Sequence, residues 1–231
     1  VLPEGAIAAL IGLVVLVGAA AWWLLITTEG VYLGRRVVVW LYDVYAARYD
    51  RIKQFDPTWE AETLSTPLIA ALTDVPCPLI LDVATGTGRL PALLYADSGF
   101  AGRVVGLDAS RRMLRQAAGK LAGTSAVLIR AEAGALPFPD AAFDAVTCLE
   151  ALEFMPDANC ALAEMVRVAR PGAVILITNR RGRVWDMPGR LRSRAAMVHT
   201  LRDRFGLENV TPLTWQVDYD LIWAWKPSQV S

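Results

Sequence analysis

From Gly5 to Thr28 the chain carries no charged residue, and beyond residue 78 short apolar runs alternate with helix-patterned segments. At 1.5 Å per residue the first stretch reaches roughly 36 Å as a helix, against a bilayer core of about 30 Å, and it predicts one transmembrane helix. Trp22 and Trp23 suit an interfacial belt. A cleaved signal peptide is the alternative, since Ala19-Ala20-Ala21 offers small residues. The only early charge is Glu4, however, there is no basic leader, and the apolar run outlasts an ordinary signal core, so an uncleaved anchor is expected. From Val31 to Asp50 the pattern is an aromatic, basic and amphipathic helix, with Val37, Val38, Trp40, Leu41, Val44 and Tyr45 as its apolar surface. It would lie along lipid headgroups or pack on the following domain.

Asp56-Pro57 is an N-cap and first-turn pair for a helix carrying Leu64, Leu68, Ile69 and Leu72. Beyond it the pattern predicts strands near 79–83, 103–107, 126–130, 143–148 and 173–178, with helices near 89–96, 110–121 and 157–169. This alternation gives an α/β, Rossmann-like parallel sheet covered on both faces. A helix near 191–205 and strands near 209–216 and 218–226 add an antiparallel edge hairpin. The expected division is an anchor over 1–30, a juxtamembrane helix over 31–55 and a single domain over 56–231.

Charge refines this picture. Arg35, Arg36, Arg48, Arg51 and Lys53 follow the apolar run and no Lys or Arg precedes it, which places the large domain in the cytoplasm. The 23 basic and 23 acidic residues balance, so nothing suggests nucleic acid. Cys77, Cys148 and Cys160 read as unpaired thiols of a reducing compartment. One histidine and no close cysteine pair argue against a metal site. Arg180, Arg181, Arg183, Arg190, Arg192 and Arg194 cluster in an arm that also holds Trp185, Met187 and Pro188. That arm would be solvated, touch anionic lipid, or meet an anionic substrate or protein partner.

The candidate chemistry begins at Leu79-Ile80-Leu81-Asp82-Val83-Ala84-Thr85-Gly86-Thr87-Gly88, an apolar strand entering a glycine-rich turn. Backbone amides in such a turn approach a ligand closely, and Asp108, about 20 residues on at the tip of the next strand, suits two ribose hydroxyls. A dinucleotide dehydrogenase would want a third glycine where this chain has Pro91, which disfavours a nicotinamide cofactor.

Five ordered blocks resemble the class I S-adenosylmethionine-dependent methyltransferases, type 11 group. They are Asp82 to Gly88; Gly106-Leu107-Asp108-Ala109-Ser110 with Met113; Glu132 to Asp140; Phe143-Asp144-Ala145-Val146; and Glu164 to Gly172. The resemblance implies S-adenosylmethionine as cofactor. Ala84, Gly86 and Gly88 would lie around its methionine part, with Asp82 orienting the loop. Asp108 would hold the ribose, Ala109 and Met113 would neighbour the adenine, and Glu132 with Ala133 would sit near its amino group. The tyrosine at Tyr49 would help cover the cofactor. Ala84 stands where the family commonly has glycine, Glu132 where it has aspartate, and Glu153-Phe154 where related enzymes often carry histidine. Glu150 and Glu153 are candidate bases, with a solvated helix start as the plainer reading.

The implied function is methyl transfer to a small lipophilic acceptor of quinone, pigment or lipid type at a bilayer. The contrasting expectation is an accessory subunit of a membrane protein complex that keeps the fold with little activity.

Overall fold

The computed structural model describes residues 3–182 and 186–228; Arg183 and Trp185 of the arginine arm lie outside the described residues. The apolar run forms α1 (Glu4–Trp22), extended by a π-helical turn (Trp23–Thr27) into a 24-residue rod long and apolar enough to cross a bilayer. No residue of α1 is buried against the rest of the chain. Beyond it the Thr28 hydroxyl and the Gly30 amide both bond the Leu24 carbonyl at 2.9 Å, and Trp23 stacks on Tyr32 with ring centroids 5.4 Å apart.

The predicted juxtamembrane helix is three pieces: a 3-10 turn (Val31–Leu33), α2 (Arg35–Tyr45), and, after another 3-10 turn, α3 (Tyr49–Lys53). α2 packs on the domain. Val38 and Leu41 are buried, and Val31 and Val38 form a small core with Phe154 and Met187. Burying two such side chains contributes roughly 3–6 kcal/mol before entropy is counted. The Asp43 carboxylate accepts from the Ser110 hydroxyl at 2.6 Å and the Arg112 amide at 3.0 Å.

Asp56 caps α4 (Pro57–Glu60) by accepting from the amides of Thr58 and Trp59, and the helix runs through a π turn into α5 (Thr66–Ala71). The alternating region then gives β1 (Leu79–Val83), α6 (Arg89–Ala96), β2 (Arg103–Asp108), α7 (Arg111–Lys120), β3 (Val127–Arg130) and β4 (Phe143–Cys148). It closes with α8 (Ala158–Val168), β5 (Ala169–Arg180), α9 (Arg194–His199), β6 (Glu208–Gln216) and β7 (Tyr219–Trp225). The sheet order is β3-β2-β1-β4-β5-β7-β6, parallel through β5, with β7 antiparallel to both neighbours. This is the α/β sheet with an edge hairpin that the pattern predicted.

Because successive strand residues face opposite ways, each strand feeds two cores. Leu81, Val83, Val146, Ile175 and Ile177 join Leu162 and Met165 of α8 on one face. Ile80, Ala145, Val174 and Leu176 join Leu64, Leu68, Leu90 and Leu94 on the other. β5 begins earlier than expected, because Ala169 pairs with Phe143 before a bulge restores the register at Ala145–Val174. The described arginines of the arm are largely committed within the chain. Arg190 donates to the Met155 carbonyl at 2.6 Å, Arg192 to Asn159 at 2.9 Å, and Arg194 to Asp220 at 2.5 Å. Met187 is buried in the core beneath α2.

Candidate active site

Chain direction in a parallel sheet sends the loops after β1, β2 and β4 to one edge, where ligands of such sheets bind. There an open pocket of about 790 Å³, counted to its mouth, is lined by Ala84, Gly86, Asp108, Ala109, Ser110, Met113, Glu132, Ala133 and Glu150, and roofed by Arg35, Val38, Val39 and Tyr42 of α2. A smaller cavity of about 370 Å³ adjoins it, bounded by Asp82, Thr87, Arg89 and Phe55. Tyr49, Ala84, Gly86, Leu149 and Glu150 border both.

The glycine-rich loop turns sharply, with left-handed backbone at Ala84 (φ 56°), Gly86 (φ 57°) and Gly88 (φ 76°). An alanine held there is strained, a condition that concentrates at functional sites. A β-carbon placed on Gly86 would meet nothing within 4 Å, so the loop leaves space at that face. On Gly88 it would come within 3.1 Å of Ala117 and Leu121. Gly88 therefore sets the packing of α6 on α7 and lines neither cavity, while Gly86 borders both. Asp82 is buried, and its carboxylate accepts from the Thr147 hydroxyl at 2.7 Å. Burial raises its pKa, opposed by that hydrogen bond.

Asp108 closes β2. Its carboxylate accepts the Gly86 amide at 2.9 Å and the Ser110 amide at 2.7 Å, which ties the glycine loop to the next turn. Burial pushes the carboxyl up to about 6, against the pull of those two amides. Met113 is fully buried and also lines the pocket, so its core and pocket readings coincide. Glu132 is not merely solvated: it pairs with Arg35 across the mouth.

The two candidate bases are buried rather than at a solvated helix start. Glu150 sits at a left-handed backbone position (φ 52°), where its amide donates to Thr178 at 2.6 Å. Its carboxylate meets Arg89 and Lys53, both at 2.9 Å, and Arg89 also reaches Glu60 at 3.1 Å. Burial works to raise the Glu150 pKa, but the two cations outweigh it and hold the carboxyl below the usual range. Glu153 does not line the pocket. It accepts from the Tyr219 hydroxyl at 2.5 Å, keeps one oxygen without a partner, and has its pKa raised by burial.

Sequence reasoning missed α2 as the roof. Tyr42 lines the pocket and donates to Glu29 at 2.8 Å; Arg180 lies 3.8 Å from Glu29 and 4.0 Å from Glu153. Burial pushes the Tyr42 phenol far up, so it stays neutral. The spacing of Val38, Leu41 and Tyr42 gives an inward stripe at helical intervals, one of two apolar faces that the sequence offered. Among the described residues no cluster able to hold a metal ion occurs.

Residues 81–177 match the family model of a methyltransferase domain, type 11. The chain is 35% identical over 132 residues to the ubiquinone/menaquinone biosynthesis C-methyltransferase UbiE of Desulfotalea psychrophila, covering 57% of this chain and 53% of that protein. It is 36% identical over 137 residues to the demethylmenaquinone methyltransferase of Renibacterium salmoninarum, covering 59% and 56%. The chain thus spans about half the length of the curated relatives it matches. Its fold is similar to that of a SAM-dependent methyltransferase from Aquifex aeolicus, with TM-score 0.53 and 23% identity over 74% of this chain and 98% of that one.

Proposed function

Because this chain carries a type 11 methyltransferase domain of the class I, S-adenosylmethionine-dependent fold, we propose that it methylates a small lipophilic acceptor of quinone type beside a bilayer. The observation that carries the reading is the pairing of a nucleoside-type corner with an apolar wall in one pocket. Asp108, Ala109 and Glu132 lie in the same cavity as Val38, Leu149, Phe154 and Met155. The names of the relatives support a quinone as acceptor.

The residues present fit the cofactor. The space beside Gly86 would take its methionine part, with Asp82 setting the loop, Ala84 bordering both cavities and Gly88 packing from behind. Asp108 would accept the ribose hydroxyls, and Ala109, Met113, Glu132 and Ala133 would surround the adenine. Bound there, S-adenosylmethionine supplies a methyl group already activated on a positively charged sulfur. The protein's share is to align the acceptor and exclude water, worth up to roughly 7–11 kcal/mol of the barrier in favourable cases. Glu150 and Glu153 act as positioning groups on this reading: one holds Arg89 and Lys53, the other Tyr219.

The rod Glu4–Thr27 would serve as a single-pass anchor with the large domain cytoplasmic. The chain then divides into anchor (1–30), juxtamembrane segment (31–55) and methyltransferase domain (56–231). The test is methyl transfer from labelled cofactor by the detergent-solubilised chain, offered membrane lipid extract or soluble metabolites. Label entering the lipid fraction supports the proposal. Label entering only soluble metabolites refutes the lipophilic acceptor, and no cofactor binding at all favours the accessory-subunit reading.

A further inference from the structure

α2 has two apolar faces, and the domain uses one of them. Val38 and Leu41 point inward, whereas Trp40 (58% exposed) and Val44 (49% exposed) remain open, with Leu33 (46%) just before the helix. Arg36, Trp40 and Val44 recur every four residues and so share a stripe, and Arg48 follows one turn on. The stripe is apolar at its centre and basic at both ends.

The charges around it are sorted. Each acid of this stretch is engaged by the domain: Asp43 takes Ser110 and Arg112, and Asp50 takes Thr87 at 2.6 Å and Lys120 at 2.7 Å. Arg36, Arg48 and Arg51 are exposed and make no ion pair among the described residues. The outward field of this segment is therefore positive. It begins eight residues after the end of an apolar rod with no buried residue.

We infer that the outer face of α2 lies on an anionic bilayer surface, with Trp40 and Val44 in the headgroup region and the arginines on lipid phosphates. A basic helix with aromatic and aliphatic residues on one face suits that occupant, and the adjoining rod makes the contact continuous with an anchored segment. The inner face of the same helix roofs the pocket, so the mouth bounded by Arg35 and Glu132 would open at the lipid surface. This rests on the methyltransferase reading only for what enters the mouth; the lipid contact stands independently.

The test uses the full chain with Cys77→Ser and Cys160→Ser, leaving buried Cys148, and an environment-sensitive fluorophore on Val44→Cys. The protein is reconstituted into vesicles of phosphatidylcholine alone or with phosphatidylserine. The expected result is a blue-shifted, quencher-protected label in the anionic vesicles, with the same label on Val217→Cys, at a 92% exposed site, staying in water. Arg36→Ala or Arg48→Ala should weaken this docking roughly fivefold for each charge removed. A label at position 44 that stays in water in both compositions overturns the inference and leaves the stripe to a protein partner. Calorimetry with S-adenosylmethionine on the same samples reports separately on the methyltransferase reading, so an immersed label without cofactor binding removes that reading and keeps the lipid contact.

Discussion

Replacing Asp108 by asparagine separates what this carboxylate does for the ligand from what it costs the fold. Burial raises its pKa from an ordinary 3.8 to about 6, which corresponds to roughly 3 kcal/mol against the ionised form. The sign follows: the native state holds this proton more tightly than the unfolded chain, so stability falls as pH rises from about 4 to about 6 and stays lower above that. Asparagine removes the cost of ionisation but gives up one of the two acceptors now serving Gly86 and Ser110, a loss of roughly 1–3 kcal/mol. The two nearly cancel, and the Tm of Asp108→Asn at neutral pH should stay within a few degrees of the parent. Binding should not be spared. Two hydrogen bonds from ribose hydroxyls to a carboxylate contribute roughly 1.5–3 kcal/mol each, so cofactor affinity should fall by about two to four orders of magnitude. In the parent protein affinity should be flat above about pH 6 and fall about tenfold per pH unit below it; in the variant it should be low and flat. Calorimetric titration across that range measures both. A variant that binds within tenfold of the parent, or keeps the acid-side loss, would falsify the assignment of Asp108 to the ribose.

Other expectations follow from the same geometry. Glu150→Gln leaves Arg89 and Lys53 without their shared partner and should cost roughly 3 kcal/mol, read as a Tm drop of about 6–12 °C. Because the Glu150 pKa lies below its ordinary value, the parent's contribution from this group should be complete above about pH 4.5 and vanish as pH falls through the folded value, so thermal scans in acid should bring parent and variant together. Gly88→Ala meets a left-handed backbone as well as Ala117 and Leu121, and should lose about 2 kcal/mol in denaturant titrations. Glu153→Gln keeps the acceptor facing Tyr219 and should change kcat by no more than a few fold; a fall of a hundredfold or more would restore Glu153 as the proton acceptor.

The sheet was legible because its signals are local. Strand ends near Asp82, Asp108 and Cys148, the Asp56 cap and the edge hairpin each follow from a few adjacent residues. The loop positions that meet the pocket were legible for the same reason, since a glycine-rich turn and an acid 20 residues later are fixed by topology. Glu150 and Glu153 were harder. Their surroundings come from Lys53, Arg89, Tyr219 and Arg180, residues remote in the chain that only the closed sheet brings together. α2 was ambiguous because it is apolar on opposite faces, and periodicity alone does not say which face the protein keeps. The partner bonds of Asp43 decide it. The arginine arm looked like a free charged surface because the carbonyls and the Asn159 and Asp220 side chains that receive it are distant in sequence.

The junction after the apolar rod leaves little slack. Seven residues separate Thr27 from Arg35, and they are pinned at Leu24, by the Trp23–Tyr32 stack, by Tyr32 donating to the Pro188 carbonyl at 2.6 Å, and by Glu29 under Tyr42. Such a joint transmits torque. If the rod is anchored as proposed, a lean to match a thinner bilayer would swing α2 with it and widen or narrow the opening beneath, and bilayer thickness would then act mechanically on the pocket.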